Sequence, residues 1–136
     1  MMPETKKRPK VIVSALIEKD GKYLLSKETL ESGRDLWIVP GGKVEFSETL
    51  EAAVKREMKE ELGIEIEIVG LIDFKEALYP QYGYHTVIFF FHAKPKSGKV
   101  KLEEKIIEAK YHTPEELKNL ELVDNARWVL EKLEII

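Results

Sequence analysis

Cysteine is absent from this 136-residue chain, which excludes disulfides and any thiolate nucleophile or metal ligand. The absence is compatible with a reducing cytoplasm, the expected location. No apolar run approaches the ~20 residues that cross a bilayer, so no membrane partner is expected. Met1 to Lys10 is polar and basic and lacks the apolar stretch of a secretory signal; it is expected to be a flexible tail. A dominant charge sign is also missing. Lys and Arg number 22 against 25 Asp and Glu, a formal net charge of −3. Without a basic excess, nucleic acid is not an expected partner. Internal repeats and low-complexity tracts are lacking too. The length fits a single domain, residues 1–136, large enough to bury a core.

What the chain does have is glutamate in an unexpected phase. Within Gly42–Ile64, GKVEFSETLEAAVKREMKEELGI, residues Glu57, Glu60 and Glu61 put three carboxylates inside five residues of an expected helix, about Thr49–Leu62. At about 100° per residue, Leu50, Ala53, Val54, Met58 and Leu62 form one broad apolar face. Glu57 and Glu61 fall inside that face and Glu60 on its edge, while Lys55 and Lys59 point away. A solvated acidic helix would show the reverse phase. Carboxylates on a buried side are costly unless they are paired or bind a cation. With no Cys and no nearby His, these hard oxygen donors suit Mg²⁺ or Mn²⁺ better than Zn²⁺ or copper. Mg²⁺ held by a few carboxylates commonly completes its shell with a phosphate-bearing substrate.

The flanks agree. Leu36–Val39 is an expected strand, and Pro40-Gly41-Gly42 a turn that allows close approach of backbone to a ligand. Ser47 or Thr49 is positioned to cap the helix, and Gly63 to end it.

Gly42, five residues, Glu48, seven residues, then Arg56-Glu57-Met58-x-Glu60-Glu61-x-Gly63-Ile64 resembles the Nudix box at every fixed position. Met58 stands where Ile, Leu or Val is more usual. The resemblance implies the Nudix fold, an α/β architecture with a mixed β-sheet sandwiched between α-helices. It implies Mg²⁺-dependent hydrolysis of a nucleoside diphosphate linked to another moiety, by water attack at phosphorus. Glu57, Glu60 and Glu61 would be the metal ligands and catalytic carboxylates, joined by the carbonyl of Gly41. Gly42, Glu48 and Gly63 would be structural, with Arg56 orienting the helix through Glu48 or touching substrate. The general base would be Glu60, Glu61 or a downstream residue, Glu103, Glu104 or Glu108. Lys105 occupies the place where many relatives carry Glu. The implied partner is a nucleotide-type small molecule, and homodimers are common in such proteins. Pro80, 16 residues beyond Ile64, resembles the ADP-ribose pyrophosphatases; Tyr82, 18 beyond, resembles dinucleoside polyphosphate (Ap4A) hydrolases. Nucleotide sugars and nucleoside triphosphates are further alternatives. A nucleotide-sensing domain without turnover is an alternative of another class, expected with a box that has lost a glutamate, whereas this box is intact.

Along the chain, Val11–Glu18 and Tyr23–Lys27 read as strands joined by a turn at Lys19–Lys22. Ile64, Ile66 and Ile68 alternate with glutamates as a half-buried strand, and Thr86–Lys94 and Ile106–His112 are further strands. Thr113, Pro114 and Glu116 start a helix, and Asp124–Leu133 form the last one. Asp73–Tyr84, with Pro80 and Gly83, reads as mostly loop. Tyr79, Tyr82, Tyr84 and His85 at its end, with Phe74 and with Arg34 on the Thr29–Asp35 loop, are candidate substrate contacts. His92 and His112 read as packing or surface residues.

Overall fold

The computed structural model describes residues 7–136. The expected tail therefore lies outside the described residues up to position 6, and Lys10 already opens the first strand. Strands β1 (Lys10–Lys19) and β2 (Lys22–Thr29) form a hairpin. Its two-residue turn has Asp20 and Gly21 at φ 52° and 75°, the left-handed pair that matches strand twist. Next come β3 (Asp35–Ile38), β4 (Gly41–Lys43), α1 (Leu50–Leu62), β5 (Glu65–Tyr79), β6 (Tyr84–Ser97) and β7 (Ile106–His112). Two helices, α2 (Pro114–Leu117) and α3 (Asp124–Lys132), close the chain.

The sheet is mixed. Its order is β3-β2-β1-β6-β5, with β1 and β6 parallel and the other pairs antiparallel. Successive residues of β1 serve opposite faces, as a strand requires. Ala15 and Ile17 pack with Ala53, Val54, Met58 and Leu62 of α1, while Leu16 packs with Leu117, Val129 and Leu130 of α2 and α3. The sheet is thus sandwiched between helices, as the resemblance implied. On one edge β1 pairs with β2 through Ile17–Lys19 and then with β4 through Ile12–Ser14. At this change of partner the sheet opens.

Two expectations need correction. Gly41–Gly42 is not only a turn, since both residues belong to β4. Asp73–Tyr84 is not a loop: β5 runs 15 residues to Tyr79 and pairs with β6, leaving a 3-10 turn at Pro80–Tyr82 as the tip. From Asp73 to Tyr79 the pairing is unbroken, but the half-buried positions carry Asp73 and Lys75 and the exposed ones Phe74 and Leu78, so the hydrophobic alternation that marks a strand is absent.

Helix α1 is fixed at both ends and along its flank. Thr49, not Ser47, is the N-cap, its Oγ1 accepting from the N–H of Ala52 at 3.1 Å. Gly63 terminates it at φ 71° and donates its N–H to the carbonyl of Lys59. Arg56 donates in a fork to Glu48, from Nε to Oε2 at 2.6 Å and from a terminal nitrogen to Oε1 at 2.9 Å, and also to the carbonyl of Lys43 at 3.0 Å. A planar guanidinium matches a carboxylate in this geometry, and the fork ties the incoming loop to the helix.

Two outcomes follow from this anchoring. Gly63→Ala puts a β-carbon on a left-handed residue already close to Lys101 and is expected to cost about 1–2 kcal/mol in denaturant titration. The Arg56 hydrogen bonds, then the Glu45 N–H, hold the Glu48 carboxyl at about 2, below its ordinary value. Its stabilising contribution is therefore present above the ordinary carboxylate range and is lost as pH falls through that depressed value. The difference in melting temperature between wild type and Glu48→Gln should be largest near neutrality and shrink from about pH 5 downward.

Candidate active site

Where β1 changes partner, a cleft of about 590 Å³ opens. Gly41, Gly42 and Lys43 of β4 form one wall, Glu57 and Glu61 of α1 another, and Glu28 at the end of β2 and Lys105 before β7 a third. The glycines make this possible. A β-carbon at Gly42 would collide with the Glu57 carboxyl, and one at Gly41 with the backbone of Val13 and the side chain of Ser14. Only bare backbone allows α1 to bring its inner carboxylates this close to β4.

The box glutamates have three different environments. Glu61 is 3% exposed; burial pushes its carboxyl up to about 7, against the opposing pull of Lys105, whose Nζ lies 3.2 Å away. Glu57 lies on the cleft wall and accepts from Arg56 at 2.9 Å. Glu60 accepts from Arg56 at 3.1 Å but is 56% exposed on the helix flank and does not line the cleft. Glu57, Glu61, Gly41 and Gly42 are thus brought together, and Glu60, Arg56, Glu48 and Gly63 stand around them.

The donor chemistry fits a hard cation. Among the described residues no three His, Cys, Asp or Glu side chains converge into a closed metal cage. Two carboxylates and the backbone at Gly41 form instead an open oxygen set, which suits Mg²⁺ because it keeps water and substrate oxygens in its shell. The nearly buried Glu61 gives such a cation a carboxylate that needs a positive partner.

The downstream carboxylates are placed differently from Glu57 and Glu61. Glu103, Glu104 and Glu108 are exposed, and none lines the cleft. The carboxylate present at that end is Glu28, whose carboxyl is raised by burial, against the pull of Lys105. Sequence reasoning passed over it, yet it is two and four residues beyond Ser26 and Leu24, the α1-facing positions of β2. Strand parity was the available signal. Glu45 and Asn125 also line the cleft without a sequence signal.

The aromatic candidates separate. Tyr79 and Tyr84 form the last cross-strand pair before the turn of the β5–β6 hairpin, 6.0 Å between ring centroids, and line a second cleft of about 660 Å³. Arg34, ion-paired to Glu121 at 2.9 Å, lines the same cleft. Tyr84 and Asn125 belong to both clefts, so the two adjoin. Tyr82 is 81% exposed at the hairpin tip and lines neither. His85 lies in a smaller hollow beside Lys7, Arg8 and Lys10, and Phe74 stacks on Phe89. His92 bonds Glu18 at 2.8 Å on the sheet surface, and His112 is buried edge-on against Trp37 as a packing residue.

Known proteins resemble this chain in sequence and in fold. A CTP pyrophosphohydrolase of Escherichia coli is 49% identical over 55 residues, 40% of this chain and 41% of that protein. An ADP-ribose pyrophosphatase of Methanocaldococcus jannaschii is 33% identical over 103 residues, 76% of this chain and 61% of that protein. In both cases the match spans less than two thirds of the relative's length. Among solved structures, a MutT NUDIX hydrolase from Burkholderia pseudomallei superposes with a TM-score of 0.84 at 31% identity, covering 93% of this chain and 98% of that one. No helix among the described residues is long and apolar enough to cross a membrane. The NUDIX domain profile matches residues 6–133, the box and the sheet around it included, and the chain therefore belongs to the NUDIX domain family.

Proposed function

We propose that this protein is a Mg²⁺-dependent pyrophosphohydrolase that cleaves a nucleoside diphosphate linked to another moiety by water attack at phosphorus. One observation carries the reading: the two inward carboxylates of α1, Glu57 and Glu61, meet bare glycine backbone in an open cleft. Glu57, Glu61 and the Gly41 carbonyl would hold the cation, and Glu60 would join from the helix flank. When bound, Mg²⁺ supplies charge neutralisation of the diphosphate and a water of lowered pKa. The residues do the rest. Arg56 fixes the Glu57 carboxylate, a cleft carboxylate takes the proton of the attacking water, and the glycines leave room for phosphate against the backbone.

The adjoining cleft supports a nucleoside on one side of the scissile bond. Tyr79 and Tyr84 offer rings for a base, and Arg34 and Arg127 offer guanidinium donors beside Glu121 and Asp124 of the same lining. The named relatives act on CTP and on ADP-ribose, substrates that share a nucleoside diphosphate core. The core is the substrate class proposed for this chain.

The direct test is a panel of ADP-ribose, nucleoside triphosphates, nucleotide sugars and dinucleoside polyphosphates with Mg²⁺, read by release of nucleoside monophosphate or phosphate. Turnover of at least one compound is expected, abolished by chelator and restored by Mg²⁺ or Mn²⁺. Binding across the panel without product would instead identify a sensing domain. On the preferred substrate, Glu61→Gln should lower kcat at least about 100-fold, on the order of 3 kcal/mol. A variant with wild-type kcat would remove Glu61 from the site.

A further inference from the structure

Of the two lysines lining the cleft, Lys43 and Lys105, Lys105 is ion-paired to a carboxylate of the catalytic helix. Its place is built into the backbone. Lys101 and Glu103 donate their N–H groups to the carbonyls of Leu62 and Glu61 at 2.8 and 2.9 Å, and Ile106 donates to Glu103 at 2.9 Å. The first two bonds satisfy carbonyls at the end of α1 that have no partner within the helix, and together the three fasten the segment carrying Lys105 there.

The pair is asymmetric. Lys105 Nζ lies 3.2 Å from Glu61 and 3.9 Å from Glu103; the lysine side chain is 51% exposed and that of Glu61 only 3%. The ammonium can withdraw into solvent at little cost. The carboxylate cannot, and ionised in that position it needs a cation beside it. Building on the metal site of the proposed function, we propose that Lys105 is the resident counter-ion of that site: its ammonium and the divalent cation compete for Glu61, and it is a positioning residue that keeps the acidic helix neutralised until metal enters. Two cations on one carboxylate repel each other, so metal entry drives the ammonium toward Glu28 and Glu103, the other carboxylates acting on it. There it remains on the cleft wall and presents positive charge to a phosphate-bearing substrate.

The test uses the full chain without nucleotide. Mn²⁺ binding is followed by electron paramagnetic resonance, and melting is recorded in chelator. Lys105→Met should tighten Mn²⁺ binding about tenfold by removing the competitor, whereas Lys105→Arg, which keeps a competing cation, should not tighten it. In chelator Lys105→Met should melt several degrees lower, and that loss should vanish in a Glu61→Gln background, where the amide needs no counter-ion. Mn²⁺ binding by Lys105→Met no tighter than wild type would overturn the proposal, as would a melting loss that persists with Glu61→Gln. Wild-type protein that binds no Mn²⁺ would overturn the metal site itself, a failure distinguishable from that of the lysine.

Discussion

The helix α1 can lie where it does because positions 41 and 42 carry no side chain. Gly41 is pressed against β1, and the carboxyl of Glu57 occupies the space a β-carbon on Gly42 would need. This close approach turns a short strand into one wall of a cleft and an acidic helix into the other. A helix with carboxylates inside its apolar stripe would otherwise float off the sheet or bury uncompensated charge. Here the glycine backbone gives those carboxylates an opening, while Ala53, Val54, Met58 and Leu62 keep the remainder of the stripe in the core.

Charge around the cleft follows from that contact. Arg56 serves Glu48, Glu57 and Glu60 together and so ties the loop, the inner face and the flank of α1 to one guanidinium. Lys105 does for Glu61 what Arg56 does for the others, but from a separate segment and with a side chain half in solvent. The two cations therefore differ in kind. Arg56 has the fork geometry of a permanent fastening, whereas a single ammonium on a flexible stem can be exchanged for another cation. A buried carboxylate opposite an exchangeable partner is the electrostatic arrangement that the proposed metal site calls for.

Much of the fold could be read along the chain because its signals are local. Thr49 and Gly63 bound α1, Thr113 with Glu116 forms a capping box, and Ile106–His112 is a strand as read. The miss at Asp73–Tyr79 has a physical cause: pairing with β6 is unbroken there, but Phe74 and Leu78 take the exposed face and Asp73 and Lys75 the half-buried one, so the usual apolar-inward alternation is missing. The short strand β4 was hidden for another reason. Gly-Gly has no intrinsic strand preference, and pairing with Ile12–Ser14 is a long-range event.

The sequence by itself determined the family, the acidic helix and the phase that places Glu57 and Glu61 inward, because helical period and motif spacing are properties of neighbouring residues. Tertiary structure alone decided what meets them. Glu28 is 29 residues before Glu57, and Lys105 is 44 after Glu61, and only the pairing of β7 with β2 and the stitching of residues 101–106 to α1 bring both to one wall. It also separated the aromatic residues of one short segment. Tyr79 and Tyr84 face a cleft, while Tyr82 faces solvent, because the first two are the last cross-strand pair of the hairpin and Tyr82 lies in the turn beyond it.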